Sequence, residues 1–205
     1  MIVGLTGSIA TGKSTVSKML ADLGAVIIDA DKIVREVQQP GERAWREIVD
    51  FFGEEILQPN GELDRAKLGA RVFDNPESRE KLNQIVHPRV REERDLQTQE
   101  ALAHNPNRIV IWDIPLLIET GIHREVERTI VVYVDQETQY ARLLKRDELS
   151  AEAARKRIAA QMPVEEKKRY ADFLIDNGGT IEETFQQVQD VWAKLLRLQE
   201  EGASL

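Results

Sequence analysis

The chain has 205 residues, of which 41% are apolar, and its 36 acidic and 28 basic residues give a net charge of −8. This composition supports one compact domain and argues against wholesale disorder and a general nucleic-acid surface, and the absence of cysteine excludes disulfides, thiolate metal sites and cysteine nucleophiles. No apolar stretch is long enough to cross a bilayer and no leader-like segment precedes the first strand, so we expect a cytoplasmic protein.

The first predicted strand, residues 2–6, runs directly into a phosphate-binding pattern. Residues 7–14 read Gly-Ser-Ile-Ala-Thr-Gly-Lys-Ser, which fits G-x-x-x-x-G-K-[ST] at each fixed position. A helical pattern follows over residues 13–23, so the context is strand, loop and helix. The backbone N–H groups of this loop and the positive end of the helix would cradle a polyphosphate. Lys13 would reach the β- and γ-phosphates, and Ser14 would offer its hydroxyl to Mg²⁺.

Four further apolar runs predict strands, at residues 25–29, 109–113, 129–134 and 173–176. Their continuous apolarity predicts strands that are buried on both faces of a parallel sheet, with helices as crossovers, and hence an α/β fold. Residues 31–105 contain no convincing strand, and prolines and glycines interrupt their helical patterns. They predict a long helical insertion of the kind that usually carries the second substrate.

A second helical insertion, residues 136–170, is basic although the chain is acidic. It contains nine basic and six acidic residues. A mobile segment that closes over polyphosphate would have such a charge, and so would an ordinary helix pair with exposed charge pairs. Arg142 and Arg146 are four residues apart and would share a helix face, and Arg157 and Gln161 repeat this spacing on the next helix.

The last predicted element is an amphipathic helix over residues 180–199. Thr180 and Glu183 form a capping box at its start. An apolar stripe along one face predicts core packing rather than a binding surface. Its members are Ile181, Phe185, Val188, Trp192 and Leu195.

Carboxylates stand at the predicted carboxyl ends of two strands, where ligands of open α/β sheets bind. The second strand ends in Asp29-Ala30-Asp31, and Asp31 is the better candidate for the base that accepts the proton of an attacking hydroxyl. A helix N-cap is the alternative for Asp31, whereas we expect Asp29 to bond backbone or a basic partner. Asp113 ends the third strand and resembles a Walker B carboxylate that holds Mg²⁺ through water, or else it caps a turn.

His87-Pro88 lies within the first insertion. Pro88 fits the first turn of a helix, which would place His87 and Arg91 on one side, four residues apart. A phosphate or nucleotide of the substrate could be bound there, and a structural hydrogen bond is the alternative role for the histidine.

The ordered set of motifs resembles the bacterial dephospho-CoA kinase family. The motifs extend from residue 5 to residue 179, and the most specific of them are Asp29-Ala30-Asp31, His87-Pro88 and Asp113-Ile114-Pro115-Leu116-Leu117. The resemblance implies Mg²⁺-dependent phosphorylation of the ribose 3′-hydroxyl of dephospho-CoA by ATP, the last step of coenzyme A synthesis. It further implies one three-layer P-loop NTPase domain, residues 1–205, with a five-stranded parallel sheet of the nucleoside-monophosphate-kinase type. Its parts would be a core (residues 1–30, 106–135 and 171–205), a CoA-binding helical insertion (31–105) and a helical lid (136–170).

The resemblance also implies roles for individual residues. Lys13, Asp31 and Arg142 would be catalytic, with Asp31 as the base. The ATP phosphates would be held by Gly7, Ala10, Thr11, Gly12, Lys13, Ser14, Thr15, Arg142 and Arg146. The acceptor side would comprise Asp31, His87, Arg91 and Leu116, and Mg²⁺ would be held by Ser14 and Asp113. We expect small-molecule partners only, without nucleic acid or membrane, and a monomer or weak homo-oligomer.

One position departs from the family pattern, and two other functions remain open. Many family members have glycine where this chain has Ala10, and we expect ordinary backbone angles there. The residues also allow another small-molecule kinase on the same core, such as a nucleoside monophosphate kinase, which the choice of acceptor would reveal. A nucleotide-dependent switch is the third possibility, although the chain lacks the Asn-Lys-x-Asp motif that reads guanine in GTPases.

Overall fold

The computed structural model describes residues 1–73, 75–148 and 150–202, and its centre is a five-stranded sheet. The strands are β1 (Ile2–Gly7), β2 (Val26–Asp29), β3 (Val110–Asp113), β4 (Arg128–Tyr133) and β5 (Phe173–Asp176). Their order in the sheet is β2-β3-β1-β4-β5, and β1 pairs in parallel with both β3 and β4, as β4 does with β5. The predicted α/β class with a five-stranded parallel sheet is confirmed.

Helices account for most of the remaining described residues. In chain order they are α1 (Lys13–Asp22), α2 (Ala30–Glu36), α3 (Arg43–Phe52), α4 (Arg65–Phe73), α5 (Pro76–His104), α6 (Gln136–Asp147), α7 (Ala151–Ala159), α8 (Val164–Lys167) and α9 (Ile181–Gly202). Short 3₁₀ turns lie at Glu54–Ile56, Ile122–Arg124 and Lys168–Tyr170. No helix among the described residues is long and apolar enough to cross a membrane.

The chain divides into two compact units. The sheet unit comprises residues 1–28 and 101–205, and the helical unit comprises residues 29–100. The predicted lid, residues 136–170, therefore belongs to the same compact unit as the sheet. Residues 203–205, which the sequence assigns to the core, lie outside the described part of the chain.

The core of the sheet unit explains why the strands are continuously apolar. β3 is buried along its whole length, and so are all but the first residue of β1 and all but the end residues of β4. Inward-facing residues of these strands pack against apolar residues of α1 and α9, which cover one face. Strands that are covered on both sides need no polar alternation.

The last helix confirms one prediction and corrects another. Thr180 and Glu183 form the predicted capping box, because each side chain accepts a hydrogen bond from the backbone N–H of the other residue. Val188 and Leu195 of the predicted stripe are fully buried, but Ile181 and Phe185 are 50% and 38% exposed. The prediction that the whole stripe packs in the core is therefore wrong. The first turns of α9 extend beyond the apolar cluster of the sheet unit, which buries the rest of the stripe.

The helical unit has a core of its own. Its buried residues come from α3, α4, α5 and the turn before α4, and they include Ile48, Phe52, Ile56, Leu68 and Ile85. Within the described residues of 31–105 the only strand-like pairing is one antiparallel bridge between Leu57 and Leu63. Gly41, Gly53 and Gly61 lie between the helices of this unit, and their positive φ angles turn the chain there.

Candidate active site

The phosphate loop, residues 7–14, leaves β1 at Gly7 and enters α1 at Lys13. A Cβ atom at Gly7 would lie 2.6 Å from Oγ1 of Thr11 and 2.9 Å from the carbonyl oxygen of Val132, so only glycine fits. Thr11 closes the loop, since its backbone N–H and its hydroxyl both donate to the carbonyl oxygen of Ser8. The curled backbone that the motif predicts is therefore present.

The backbone conformation of Ala10 differs from the one expected from the sequence. Its φ angle is 62°, in the left-handed region, where the sequence predicts ordinary angles. Within the phosphate loop, Ala10 shares this left-handed conformation with Gly12, whose φ is 84°. Alanine in this region is strained relative to glycine.

Gly12 is held by a residue that sequence reasoning did not assign to the site. The side chain of Asn177 donates from Nδ2 to the carbonyl oxygen of Thr11 at 2.8 Å, and Thr184 donates to Asn177 Oδ1 at 2.9 Å. A Cβ atom at Gly12 would collide with Asn177 Nδ2. The sequence has an Asn-Gly-Gly run at residues 177–179, but no local pattern indicates that its asparagine binds the phosphate loop.

Lys13 and Asp113 meet at the carboxyl ends of β1 and β3. Nζ of Lys13 donates a hydrogen bond to Oδ1 of Asp113. The two side chains are 18% and 5% exposed, so the pair is largely screened from water. The structure thus brings together Lys13, which the sequence predicts at the donor phosphates, and Asp113, which it predicts at Mg²⁺.

The start of α1 is suited to an anion. Ser14 is exposed in the first turn and Thr15 is partly buried there, and this turn contains no acidic residue. The unneutralised positive end of the helix dipole therefore faces the loop opening. This positive helix end and the charge of Lys13 favour a polyphosphate.

The basic segment, residues 136–170, places one arginine at the phosphate loop. Nη1 of Arg142, on α6, would lie 3.9 Å from a Cβ atom at Gly12. Within the described part of the chain, no carboxylate pairs with Arg142. Its charge is available to a phosphate.

Arg146 and Arg157 are held differently. Arg146 donates from Nε and Nη2 to the carboxylate of Asp147, and Arg157 donates from Nη1 to the same carboxylate at 2.7 Å. These arginines keep the pKa of the Asp147 carboxyl below its usual value, Arg146 having the larger effect. The structure therefore pairs both arginines with Asp147, and their contact with phosphate stays a prediction.

Two glutamines hold the backbone of Ile9 in the phosphate loop. Gln139 donates from Nε2 to its carbonyl oxygen, and Gln161 accepts from its N–H, each at 2.8 Å. Gln161 lies beyond α7, which ends at Ala159, so the predicted helix shared by Arg157 and Gln161 is wrong. A contact across 152 positions leaves no local pattern in the sequence.

In the helical unit, the two aspartates after β2 have different surroundings. Oδ1 of Asp29 accepts from the backbone N–H groups of Asp31 and Lys32, so Asp29 is the N-cap of α2. The expectation that Asp29 bonds backbone is correct, and the N-cap alternative for Asp31 is wrong. The Asp31 side chain is exposed in the first turn of α2 and forms no hydrogen bond with the described residues.

His87 and Arg91 lie on α5, four residues apart and both exposed, as the sequence predicts. The prediction that Pro88 begins a helix is wrong, because α5 begins at Pro76 and Pro88 lies in its interior. The helix start is at Asn75, whose side chain caps the N–H of Ser78. Pro88 has no N–H to donate to the preceding turn, and α5 continues through it.

The helical unit also contains a polar cleft of about 460 Å³. Its lining includes Arg35, Gln38, Gln39, Gln58, Glu62 and Arg65. Within the described residues, neither arginine has an ion-pair partner. Gln38 is 8% exposed, and its amide makes no hydrogen bond with the described residues. These donors are available to a ligand in the cleft.

The fold and the phosphate loop define a P-loop phosphotransferase. The strand–loop–helix cradle carries Lys13 and Ser14, a neighbouring strand ends in Asp113, and an arginine from the basic segment reaches the loop. No group of three or more potential metal-binding side chains occurs among the described residues. In kinases, substrate phosphates supply much of the coordination of Mg²⁺.

Comparison with known proteins identifies the family. The sequence model of the dephospho-CoA kinase family matches residues 1–183, and the chain belongs to this family. It is 53% identical over 188 residues to the dephospho-CoA kinase of Geobacillus kaustophilus, which covers 92% of this chain and 93% of that protein.

Two solved structures are similar along nearly the whole chain. A Thermus thermophilus crystal structure has a TM-score of 0.80 at 33% identity and covers 95% of this chain and 97% of its own. The dephospho-CoA kinase of Campylobacter jejuni has a TM-score of 0.71 at 31% identity and covers 96% and 97%. The predicted family is therefore confirmed.

Proposed function

We propose that this chain transfers the γ-phosphoryl group of ATP to the 3′-hydroxyl of the dephospho-CoA ribose. The products are CoA and ADP, and the reaction is the last step of coenzyme A synthesis. The observation that carries this function is a phosphate loop with Lys13 bound to Asp113 in a member of the dephospho-CoA kinase family. ATP is the phosphoryl donor, and Mg²⁺ is the usual ion of such kinases.

The donor phosphates bind along the phosphate loop in this proposal. Backbone N–H groups of Ala10, Gly12 and the first turn of α1 surround them, while Thr11 keeps the loop closed through its hydrogen bonds to Ser8. Lys13 and Arg142 neutralise charge on the β- and γ-phosphates. The position of Arg142 beside Gly12 and its lack of a carboxylate partner within the described residues support this role.

Ser14 and Asp113 would hold Mg²⁺. A hydroxyl and a carboxylate are oxygen donors, which Mg²⁺ prefers, and Asp113 ends a strand next to the phosphate loop. The ion supplies charge neutralisation across the phosphates when it is bound.

Asp31 acts as the base on the acceptor. The 3′-oxygen forms a bond to the γ-phosphorus while the bond between this phosphorus and the β,γ-bridging oxygen breaks, so ADP leaves with the bond electrons. The hydroxyl proton passes to the Asp31 carboxylate. Asp29 caps α2 and leaves the exposed Asp31 carboxylate free of this structural task, which supports the assignment.

Residues 31–105 form the acceptor-binding insertion in this proposal. His87 and Arg91 provide an exposed pair of polar groups on α5, and Leu116, which is 41% exposed in the sheet unit, offers an apolar surface to the acceptor. The polar cleft supplies guanidinium and amide donors that suit the diphosphate and amide groups of dephospho-CoA.

Residues 136–170 act as the lid. Their excess of basic residues and the position of Arg142 support closure over polyphosphate. Arg146 joins the phosphates if the nucleotide draws it from Asp147. Gln139 and Gln161 connect this segment to the backbone of Ile9 at two points.

We also propose a cytoplasmic monomer or weak homo-oligomer that binds small molecules and neither nucleic acid nor membrane. The net charge of −8 supports the expected lack of nucleic-acid binding. Size-exclusion chromatography with light scattering tests the oligomeric state.

An acceptor screen tests the function. The protein is incubated with Mg-ATP and dephospho-CoA, AMP, CMP or shikimate, and the products are identified by mass. Phosphorylation of dephospho-CoA with a kcat/KM well above those of the other acceptors supports the proposal. Preference for a nucleoside monophosphate indicates a nucleotide kinase, and slow ATP hydrolysis without transfer to any acceptor indicates a switch protein.

A further inference from the structure

Lys167, the last residue of α8, is a lysine whose side chain is completely buried. Its Nζ donates to the carbonyl oxygen of Pro115 at 2.9 Å and lies 3.0 Å from Oε1 of Glu119. Burial lowers the pKa of Lys167, its hydrogen bond to the Glu119 carboxylate opposes this shift, and repulsion by Lys13 adds to it. An apolar side chain would avoid the cost of burying an ammonium, so the charge points to a task beyond packing.

The first of the two acceptors connects Lys167 to the end of β3. The carbonyl oxygen of Pro115 also accepts a hydrogen bond from Thr6 Oγ1 at 2.9 Å. Pro115 follows Asp113 by two residues, and the N–H between them, that of Ile114, donates to the carbonyl oxygen of Leu5. The segment that carries the Asp113 carboxylate is therefore fixed by β1 on one side and by Lys167 on the other.

The second acceptor connects Lys167 to the phosphate loop. Oε1 of Glu119 also accepts from the backbone N–H of Met162 at 3.1 Å. The carbonyl oxygen of Met162 accepts from Ser8 Oγ at 3.2 Å, and the neighbouring Gln161 accepts from the N–H of Ile9. These hydrogen bonds lead from Glu119 back to the first half of the phosphate loop.

We propose that Lys167 is a positioning residue for phosphoryl transfer. Through Pro115 it holds the segment that carries Asp113, and through Glu119 it holds the Ser8–Ile9 backbone, so that the two keep fixed positions relative to each other. Both of its partners are acceptors, so a donor that serves both at once is required between them. When Lys13 turns from Asp113 to the phosphates, Lys167 keeps the end of β3 in place. Neither the phosphate-loop motif nor the family match assigns this role.

A substitution with a matched control tests the proposal. Lys167→Met keeps the length of the side chain and removes the donor, and we expect kcat to fall about 10- to 100-fold because the reacting groups are misplaced. The KM for dephospho-CoA should change little. Lys168→Met is the control, since Lys168 pairs with Glu165 at the surface and belongs to no contact described above. Its kcat should stay near that of the unchanged protein.

A double-mutant cycle separates positioning from a general loss of structure. Because part of the effect of Lys167 passes through Asp113, Lys167→Met should lower kcat by a smaller factor in an Asp113→Asn background than in the unchanged protein. Circular dichroism and thermal unfolding establish that each variant is folded. An unchanged kcat in Lys167→Met, or losses that multiply independently in the double variant, would overturn the proposal.

A second variant covers the case in which Lys167→Met does not fold. Glu119→Gln keeps the volume of the side chain and leaves Lys167 in place, but it removes the charge that anchors the ammonium. Glu119→Gln should lower kcat, and it should lower kcat by a smaller factor when Asp113→Asn is also present. Wild-type kcat in Glu119→Gln, or uncoupled losses, would refute the role of the Lys167 contacts. The unchanged protein is assayed with dephospho-CoA in parallel. If it phosphorylates dephospho-CoA, the proposed function stands, and the variants test only the role of Lys167.

Discussion

Lys13 donates a hydrogen bond from Nζ to Oδ1 of Asp113, and this contact joins the phosphate loop to the end of β3. One partner comes from the loop motif and the other lies 100 positions further along the chain. The pair places a positive charge beside a nearly buried carboxylate at the proposed donor site.

Lys13→Ala should nearly abolish turnover. It removes a charge that interacts with the phosphates more strongly as the transition state develops, and the loss of one such donor lowers kcat by about 10²–10³-fold. Steady-state kinetics with saturating ATP and dephospho-CoA measures the effect. Lys18→Ala, at an exposed position of α1, is the control, and near-normal turnover in Lys13→Ala would refute the assigned role.

Asp31→Asn should lower kcat more than it weakens ATP binding. The substitution keeps the shape but removes the basic carboxylate, and general-base catalysis contributes about 10²–10⁴-fold. Asp29→Asn is the matched control, because asparagine caps α2 as well as aspartate does, and its kcat should remain close to normal. Loss of ATP affinity with high residual turnover in Asp31→Asn would indicate a structural role instead.

Ala10 should tolerate glycine but not valine. Glycine relieves the strain of a positive φ while it increases the entropy of the unfolded chain, so the free energy of unfolding should change by less than about 1 kcal/mol. Valine is far worse in the left-handed region and should lower this free energy by about 1–3 kcal/mol and weaken ATP binding. Chemical denaturation and nucleotide titration measure both effects. Equal stability of the glycine and valine variants would contradict the observed backbone conformation.

Arg35→Ala and Arg65→Ala should each raise the KM for dephospho-CoA. The two guanidinium groups line the polar cleft without an ion-pair partner among the described residues, and loss of one partly exposed phosphate contact should cost about three- to tenfold. The KM for ATP should not change. Arg43→Ala is the control, because Arg43 is exposed on α3 and pairs with Glu47 outside the cleft. Unchanged acceptor kinetics in both cleft variants would exclude the cleft as an acceptor subsite.

Lys167 should make the free energy of unfolding vary with pH in the alkaline range. Burial lowers the pKa of this ammonium in the folded state, so between that pKa and the ordinary value of 10.5 the unfolded chain binds more protons. The free energy of unfolding of the wild type, relative to that of Lys167→Met, should therefore rise with pH across this interval. Urea denaturation of both proteins at matched pH measures the difference. A difference that falls with pH would contradict the direction of the shift.

The predictions from sequence that succeeded depend on neighbouring residues. The phosphate loop, the capping box of Thr180 and Glu183, and the backbone hydrogen bonds of Asp29 all lie within a few positions of their partners. The strands were predictable because continuous burial leaves continuous apolar runs. Short-range chemistry and burial therefore make the phosphate loop, the helix caps and the core strands predictable from the sequence.

The predictions that failed depend on contacts with residues that are distant in the sequence. Periodicity placed Ile181 on the apolar face of α9 but did not tell where the covering residues end. Pro88 has the chemistry of a helix start, yet α5 had already begun at Pro76. The contacts of Gln161 and Lys167 join residues 152 and 52 positions apart, and no local pattern encodes them.

The most direct test is a crystal structure of the protein with a non-hydrolysable ATP analogue, Mg²⁺ and dephospho-CoA. The β- and γ-phosphates should lie against the backbone of residues 10–15 with Lys13 and Arg142 on them. The carboxylate nearest the ribose 3′-hydroxyl should be that of Asp31. A nucleotide bound away from the phosphate loop, or a different carboxylate at the 3′-hydroxyl, would contradict the account.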